Sequence, residues 1–177
     1  RMTYLISDLL NLSRLKTGKF VILPSRVNLA HLVDQEVNQL RRMAEANGAK
    51  LVIELPDKLP DLDLDETKMR QVIMNLIDNA IYYTPSGGTI TVRLHETTKA
   101  VEFTVTDTGI GVPKSEQHKL FSRFYRATNA KKSRPDGTGL GLFMAKKAVA
   151  AQGGAVIFQS TEGQGSTFGF SFPKKRP

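Results

Sequence analysis

Two asparagines, Asn75 and Asn79, lie four residues apart in the stretch MNLIDNAIYY, which has the apolar spacing of a helix. Residues four apart share one helix face, so both amides project the same way, while Ile73, Leu76 and Ile77 occupy the core side. Asparagine is unfavourable inside a helix, which favours a task for the pair over a capping or surface role. Because an amide oxygen can ligate Mg²⁺ while phosphates fill other positions, the pair predicts a metal site.

Two glycine-rich stretches, DTGIGVP at 107–113 and GTGLGL at 137–142, predict a second kind of chemistry. Glycines at a helix start let the backbone approach phosphates and aim free N–H groups at them. Neither stretch is a P-loop or a dinucleotide fingerprint, and either one alone is more typical of a tight turn. Asp107 ends the strand before the first stretch, where its carboxylate could accept a hydrogen bond from the exocyclic amine of adenine. The co-occurrence of these features therefore predicts a nucleotide site.

The composition excludes several other classes of function. The chain has 177 residues, 40% of them apolar, a net charge of +8 and no cysteine, so disulfides, thiolate catalysis and Cys-ligated metal sites are excluded. Its three histidines, His31, His95 and His118, are scattered without metal-like spacing. The positive charge would suit a polyanionic partner, but the basic residues fall in separate clusters, including NAKKSRP and the C-terminal KKRP. Without a recognition helix or interleaved aromatic residues, we expect no nucleic-acid partner.

Apolar periodicity and capping residues predict the elements that must position the site. The first half of the chain is predicted to form a helix over 1–17, an extended segment in KFVILPS, a helix from its Asn28 cap to about 47, a strand in KLVIELP and an extended LPDLDLD. A helix from its Asp65 cap to Thr84-Pro85 follows, and then a hairpin of GTITVRLHET and AVEFTVTDT. The last part is predicted to contain an irregular stretch over about 113–136 with a helical piece in EQHKLFSRFY, a helix in GLGLFMAKKAVAAQG, and a hairpin of GAVIFQST and GSTFGFSFP. Strands bunched as hairpins favour an α+β two-layer sandwich, a mixed sheet with helices on one face, over a doubly wound parallel sheet.

The first predicted helix carries an apolar stripe, formed by Met2, Leu5, Leu9 and Leu12 and widened by Ile6 and Leu10. A single helix this apolar does not stand alone in water. It needs either a partner in a helical bundle or a surface of its own domain to pack on, and the pattern leaves both alternatives open.

Four motifs, NLIDNAIYYTP, DTGIGVP, LFSRFYRA and GTGLGL, in this order and spacing resemble the N, G1, F and G2 boxes of sensor histidine kinases. These kinases belong to a wider ATP-binding group that includes type II topoisomerases, MutL and Hsp90. The resemblance covers about residues 24–175 and implies a Bergerat-type ATP-binding domain over 28–177, with a lid at about 113–136. The stretch LISDLLNLSRLKTGK resembles the end of the second helix of the family's dimerisation and phosphoacceptor domain, which implies such a segment over 1–18 and a linker or first strand over 19–27.

The resemblance implies particular roles within the boxes. Asn79 would be the main Mg²⁺ ligand with Asn75 supporting it, and Asp107 would bind the adenine amine. Phe121 and Phe124 would hold the lid in place. The residues expected to contact ATP and Mg²⁺ are Asn75, Asn79, Tyr82, Tyr83, Asp107, Gly109, Ile110, Gly111, Tyr125, Arg126, Gly137, Thr138, Gly139, Leu140, Gly141 and Leu142.

Two positions bear on the mechanism that the resemblance implies. The family often carries a phosphate-facing lysine three residues after the metal-binding asparagine, where this chain has Tyr82, which brings no positive charge. Phosphate affinity would then be weaker, or Arg126 or a lid lysine would substitute. Lys131, Lys132 and Arg134 of the lid would help to neutralise phosphate charge, although they are equally typical of a solvated loop. Hydrolysing members of the wider group place a glutamate where this chain has Asn75, and an amide does not take a proton from water at neutral pH.

The resemblance implies that the chain binds Mg-ATP and donates the γ-phosphoryl group to a histidine of the dimerisation domain, for relay to a response-regulator aspartate. No histidine here lies in a helical His-Glu/Asp context, so we expect no autophosphorylation by this chain alone. An ATPase of the wider group and a degenerate nucleotide-dependent binding module remain alternatives, the first opposed by Asn75 and the second supported only by Tyr82. The implied partners are a second copy, through the dimerisation domain, and a response regulator. The implied setting is a cytoplasmic domain of a membrane-anchored sensor, with membrane contact only through other parts of that protein.

Overall fold

The computed structural model describes residues 2–174, with side chains from residue 6 onward. Its elements in chain order are α1 (Met2–Lys16), β1 (Ser25–Val27), α2 (Leu29–Ala46), β2 (Lys50–Glu54), β3 (Leu62–Leu64), α3 (Glu66–Tyr83), β4 (Thr89–Glu96), β5 (Ala100–Asp107), a 3₁₀ helix (Lys114–Lys119), α4 (Thr128–Ser133), α5 (Gly141–Ala151), β6 (Ala155–Thr161) and β7 (Gly165–Pro173). The side chains of Met2 and Leu5 in the predicted stripe, and most of the basic tail KKRP, lie outside the described residues.

One layer of the fold is a five-stranded sheet in the order β2-β4-β5-β7-β6. Strand β2 runs parallel to β4, and every other neighbouring pair is antiparallel, so the sheet is mixed. Both predicted hairpins, β4–β5 and β6–β7, are present. A separate two-stranded antiparallel sheet joins β1 to β3, with Val27 opposite Leu62.

The second layer consists of α2, α3 and α5, which cover one face of this sheet. Strand β5 buries alternate residues, among them Val101, Phe103 and Val105, because successive side chains of a strand point to opposite faces. These side chains form one core with the apolar faces of the helices, including the fully buried Ile73 and Ile77 of α3. The predicted α+β two-layer sandwich is therefore confirmed.

Two predicted capping residues fix the starts of α2 and α3. Asn28 Oδ1 accepts the N–H of His31 at 3.0 Å, and Asp65 Oδ1 accepts the N–H of Lys68 at 3.1 Å. Each bond satisfies a donor that the helix itself leaves unpaired. Because α3 begins at a fixed residue, its two asparagines have a defined direction relative to the sheet. Within the described residues, no helix is both long and apolar enough to cross a membrane.

Helix α1 packs on its own domain along one edge. Leu12 is buried against Leu140, Phe143 and Met144 at the start of α5, and Gln71 of α3 donates a hydrogen bond to Ser7 Oγ at 2.6 Å. The remaining stripe is exposed, with Ile6, Leu9 and Leu10 at 58%, 47% and 53% of their full accessibility. The packing alternative is thus correct for one edge of α1, while an unpaired apolar face remains.

The helical piece predicted in EQHKLFSRFY is wrong in its extent. The chain forms a 3₁₀ helix over Lys114–Lys119, and the short α4 begins only at Thr128. Between them, Phe124 has a φ of 61°, a left-handed conformation that ends any helix. Its N–H donates to the carbonyl of Gly139 at 3.0 Å, so a contact with the second glycine stretch takes the place of the next helical turn.

Candidate functional site

A cavity of about 320 Å³ lies between α3, the start of α5, the end of β5 and the stretch over 113–136, which we call the lid. It brings together residues that are distant in the sequence, from Asp8 to Phe168. The predicted site residues that line it are Asn75, Asn79, Tyr83, Asp107, Ile110, Gly111, Tyr125, Arg126, Gly137, Thr138, Gly139, Gly141 and Leu142.

One end of the cavity is formed by α3 and the start of α5. Both Asn75 and Asn79 line it, and a Cβ atom at Gly141 would lie 3.8 Å from Cγ of Asn75, so the backbone of α5 lies directly beside that amide. Among the described residues, no side chain caps the start of α5. The unpaired N–H groups and the helix dipole there favour an anion such as phosphate.

Asp107 lines the cavity at the C-terminal end of α3, because a Cβ atom at Gly109 would touch both Asp107 Oδ1 and the carbonyl of Tyr83. Tyr83 lies about 12 Å along α3 from Asn75, so Asp107 is at the opposite end of the cavity from that amide. Asp107 Oδ1 accepts the N–H of Gly109 at 2.8 Å and the N–H of Ser166 at 3.3 Å, which leaves Oδ2 to accept a hydrogen bond from a bound molecule. The residue is 7% exposed, and burial raises the pKa of its carboxyl although the two N–H donors oppose that shift. The two N–H bonds hold the carboxylate in one orientation, in which Oδ2 is a fixed acceptor suited to an amine donor.

Gly109 fixes the position of Asp107 from outside the cavity. A Cβ atom there would lie 2.3 Å from the carbonyl oxygen of Tyr83 and 2.8 Å from Asp107 Oδ1, so any larger residue would displace the carboxylate or the end of α3. Its N–H also forms one of the two hydrogen bonds to that carboxylate. Gly109 therefore shapes the site without lining it.

Polar contacts hold the lid together and join it to the first glycine stretch. Glu116 accepts hydrogen bonds from the Tyr125 hydroxyl at 2.9 Å, the Thr128 N–H at 3.1 Å and the Thr128 hydroxyl at 2.9 Å. These bonds, that of Tyr125 foremost, lower the pKa of Glu116. Asn129 Nδ2 donates to the carbonyl of Gly111 at 2.9 Å, which joins the lid to the first glycine stretch.

Arg126 connects the two sides of the lid internally. Its guanidinium donates to the backbone carbonyls of Arg134, Pro135 and Ala130, the last two at 3.3 and 3.4 Å. It also lies against Gly137, where a Cβ atom would come within 2.6 Å of its Cζ. Arg126 lines the cavity as predicted, but three of its five N–H donors are used by the lid backbone.

Of the two phenylalanines expected to hold the lid, only Phe121 is positioned to do so. Its ring packs edge-on against Phe158 at 5.9 Å and Phe168 at 6.3 Å between centroids. Phe124 is 56% exposed, so the expectation that its side chain holds the lid is wrong. Its left-handed backbone turns the ring outward, and it is the backbone of Phe124 that packs on Gly139.

A comparison with protein families assigns the chain to one of them. The model described as histidine kinase-, DNA gyrase B-, and HSP90-like ATPase matches residues 64–176. The chain belongs to this family. The matched residues include α3, both glycine stretches and the lid, so the family match covers every element that forms the cavity except α1.

Curated relatives place the chain among the histidine kinases of this family. The adaptive-response sensory kinase SasA of Synechococcus sp. (strain JA-3-3Ab) is 36% identical over 177 residues, covering 99% of this chain and 46% of that protein. The sensor histidine kinase WalK of Bacillus subtilis (strain 168) is 34% identical over 177 residues, covering 99% of this chain and 29% of that protein. The chain thus spans less than half the length of these relatives, and it is an ATP-binding catalytic domain of the histidine kinase family.

Solved structures agree with this assignment. Full-length ShkA in complex with AMPPNP superposes with a TM-score of 0.81 at 28% identity, covering 96% of this chain and 35% of that one. The nucleotide-free catalytic domain of the histidine kinase ThkA gives a TM-score of 0.75 at 25% identity, covering 87% of this chain and 99% of that one. The sandwich described above is therefore that of histidine kinase ATP-binding domains.

Three predicted site residues of this histidine kinase domain do not line the cavity: Tyr82, Gly109 and Leu140. Leu140 is fully buried against Leu12 and the first turn of α5, where it holds α1 rather than a ligand. Gly109 lies behind Asp107, as described above. The ring of Tyr82 lies under the guanidinium of Arg134, with 3.8 Å between Cζ and the ring centroid.

Sequence reasoning missed several residues of this histidine kinase domain that line the cavity, among them Asp8, Asp78, Asn129, Asp136, Ser166 and Phe168. Asp78 follows Asn75 by three residues, so helical spacing alone places the two on adjoining parts of one face. Ser166 and Phe168 lie on β7, and only the pairing of β7 with β5 brings Ser166 opposite Asp107. No local pattern in the sequence predicts that pairing.

Proposed function

We propose that this domain binds Mg-ATP in the cavity and donates the γ-phosphoryl group to a histidine of the dimerisation domain of a sensor histidine kinase, for relay to a response-regulator aspartate. One observation carries the proposal. A single cavity has a buried acceptor for the adenine amine, Asp107, at one end, and Asn75, Asn79 and the uncapped start of α5 at the other. The two ends match the two chemically distinct ends of ATP.

The geometry of Asp107 supports adenine as the base. Because Oδ1 is held by two backbone N–H groups, the carboxylate has one fixed orientation and a second oxygen for a donor. Adenine carries an exocyclic amine at its position 6, whereas guanine carries a carbonyl there, which a carboxylate would repel. Ile110 and Leu142 line the same cavity and would contact the faces of the base.

Asn75, Asn79 and α5 would hold the triphosphate and its metal ion. In the part of the chain that the structure describes, no group of three or more His, Cys, Asp or Glu side chains could hold a metal ion alone. A pair of amide oxygens fits Mg²⁺ that also takes phosphate oxygens as ligands. When bound there, the ion would neutralise phosphate charge. The N–H groups of Gly139, Gly141 and their neighbours would bind the phosphate oxygens.

Two features favour phosphoryl transfer to a separate histidine over hydrolysis. The amide of Asn75 is not a base for an attacking water. As the structure describes them, His31, His95 and His118 lie outside the residues that line the cavity. The acceptor histidine would therefore come from a segment outside these elements, as the phosphoacceptor helix of a dimerisation domain does.

The exposed stripe of α1 supports the proposed dimerisation partner. Ile6, Leu9 and Leu10 form an apolar row whose burial in a helical bundle with a second copy would remove it from water. The response regulator and the cytoplasmic side of a membrane-anchored sensor complete the proposal, since both follow from the kinase role rather than from a contact in this domain.

The proposal is tested by incubating the domain with γ-labelled ATP, Mg²⁺ and a separately prepared phosphoacceptor-helix domain from the same kinase. We expect label on the added domain, little free phosphate, and loss of transfer in Asn79→Ala. Asn38→Ala is the matched control, because Asn38 lies on the exposed side of α2 and pairs with Asp34. Transfer should be unchanged in that variant.

The other outcomes contradict the proposal in different ways. Rapid release of free phosphate without transfer would identify a hydrolase, and the argument from Asn75 would be wrong. Absence of both transfer and release, with ATP binding retained, would favour a nucleotide-dependent binding module. Absence of ATP binding would remove the proposal altogether.

A further inference from the structure

Tyr82 stands where the resemblance to histidine kinases leads one to expect a phosphate-facing lysine, and the structure puts a different cation on top of it. The guanidinium of Arg134, from the end of the lid, lies over the Tyr82 ring with Cζ 3.8 Å from the centroid. A cation over an aromatic face is attracted by the ring's negative face, and arginine also stacks on it. Tyr82 therefore holds the positive charge of Arg134 by a cation–π contact, although its own side chain is uncharged.

The guanidinium of Arg134 is confined but not saturated with hydrogen bonds. Its side chain is 15% exposed and lines the cavity. The nearest carboxylate oxygens are Asp78 Oδ2, 3.9 Å from Nη1, and Asp136 Oδ1, 3.7 Å from Nε, both beyond hydrogen-bonding distance. Within the described residues, Nε is buried with no hydrogen-bond partner. A buried donor without a partner is uncommon and favours an additional ligand.

The remaining basic residues of the lid do not share this position. Lys131 and Lys132 are exposed and lie outside the residues that line the cavity, and Arg126 uses three of its five N–H donors to bond lid carbonyls. Among the lid cations that the structure describes, Arg134 alone combines cavity lining with a buried donor that has no hydrogen-bond partner. It is also the lid cation that contacts α3, which carries Asn75 and Asn79.

We propose that Arg134, stacked on the ring of Tyr82, is the cation that binds the terminal phosphate of ATP in place of the absent lysine. The planar guanidinium can donate two parallel hydrogen bonds to a phosphate, whereas the two aspartates at 3.7 and 3.9 Å hold it only by charge. A bound triphosphate would therefore become the better partner of Arg134. This inference rests on the proposed nucleotide site and adds the residue that distinguishes ATP from ADP.

The test is equilibrium binding of ATP, ADP and adenosine, each with Mg²⁺, to the domain and its variants. Arg134→Met should weaken ATP binding by roughly tenfold or more, as expected for loss of a charged hydrogen bond, and change ADP and adenosine binding by less than about threefold. Arg134→Lys should keep part of the ATP affinity, because it keeps the charge and loses the fork. Lys132→Met removes one charge from the exposed side of the lid and is the matched control, with affinity for all three ligands unchanged.

A rescue experiment separates charge from structure. The double variant Tyr82→Lys, Arg134→Met moves the cation from the lid to α3, and it should recover most of the ATP affinity that Arg134→Met loses. Tyr82→Leu removes the ring but keeps Arg134. It should also weaken the binding of ATP more than that of ADP or adenosine, because the guanidinium loses the cation–π contact that positions it. Circular dichroism and thermal unfolding of each variant would verify that the fold is intact.

The outcomes that overturn this inference differ from those that overturn the proposed function. If the unmodified domain binds no ATP, the proposed function fails first. If it binds ATP and Arg134→Met binds it equally well, Arg134 is not a phosphate ligand. If Arg134→Met weakens ATP, ADP and adenosine equally and the double variant does not recover, Arg134 only fastens the lid to Asp78 and Tyr82, and the inference is wrong.

Discussion

At the scale of single residues, Asp107 combines two opposing requirements. Its carboxylate is buried at the end of β5, and burial raises its pKa, whereas the N–H groups of Gly109 and Ser166 oppose that rise. Burial of the ionised carboxylate therefore lowers the stability of the free domain. Such a cost is typical of a residue retained for binding rather than for stability.

Asp107→Asn should accordingly weaken ATP binding while increasing stability. The amide presents N–H donors to the adenine amine, so we expect ATP affinity to fall by roughly tenfold or more in a calorimetric titration. Because the folded-state pKa of Asp107 lies above 3.8, ionisation destabilises the fold as pH rises above that value, and the cost is complete above the folded-state pKa. The melting temperature of Asp107→Asn should exceed that of the unmodified domain at pH 8 and match it near pH 3.8. A lower melting temperature at pH 8 would contradict this account.

At the scale of elements, the lid is a structured segment whose two short helices are joined through one carboxylate. Glu116, in the 3₁₀ helix, accepts three hydrogen bonds from Tyr125 and from Thr128 at the start of α4. A helix of six residues has few internal hydrogen bonds, so α4 depends on this contact for its position. Since Tyr125 also lines the cavity, the position of the carboxylate affects the ligand site.

Glu116→Ala should loosen the lid without unfolding the sheet. We expect faster amide hydrogen exchange over residues 125–133, unchanged exchange in β5 and β7, and weaker ATP binding. The pKa of Glu116 is held below 4.5, so the ionised carboxylate is the form that these donors stabilise, and its contribution is present above pH 4.5 and lost as pH falls through the folded-state value. Glu162→Ala, in the exposed turn between β6 and β7, is the control. Equal exchange in the two variants would show that Glu116 does not hold α4.

At the scale of the whole molecule, α1 is packed so that it reaches the ligand cavity. Leu12 is buried at the start of α5, and Asp8, one turn earlier, lines the cavity. Asp8 also lines a small crevice with Asn11, Lys68 and Asn75. Partial burial raises the pKa of Asp8 to about 6. Near neutral pH, packing of α1 on the domain therefore buries an ionised carboxylate, which makes that packing less favourable.

Docking of α1 should therefore strengthen as pH falls. Docked Asp8 has a pKa of about 6 against 3.8 in an undocked chain, so the penalty develops between those values as pH rises and is complete above pH 6. Asp8→Asn should raise the melting temperature at pH 7.5, with the gain shrinking below pH 6 and vanishing near pH 4. Leu12→Ala removes the apolar contact that docks α1, and Asp8→Asn should then give no gain. Asp34→Asn, exposed on α2, is the control. A gain that does not depend on pH would exclude Asp8 as its source.

Much of the candidate site could be predicted because its determinants are local. The caps at Asn28 and Asp65, the amide pair on α3 and the two glycine stretches depend on interactions within a few residues. Their roles toward ATP came from the resemblance to histidine kinases and stay predictions. The extent of the lid helices was missed because the left-handed Phe124 depends on a contact with Gly139, which is distant in sequence.

The sequence by itself determined the identity of the motifs, the helix limits near the caps and the hairpins, since these follow from periodicity and short-range hydrogen bonding. Only the tertiary structure decided which distant residues meet. It brought Ser166 to Asp107 through the pairing of β7 with β5, and Arg134 onto Tyr82 through the course of the lid. The physical reason is that strand order and lid position depend on how the whole core is buried, and every element contributes to that burial. No single stretch of the sequence is enough to predict it.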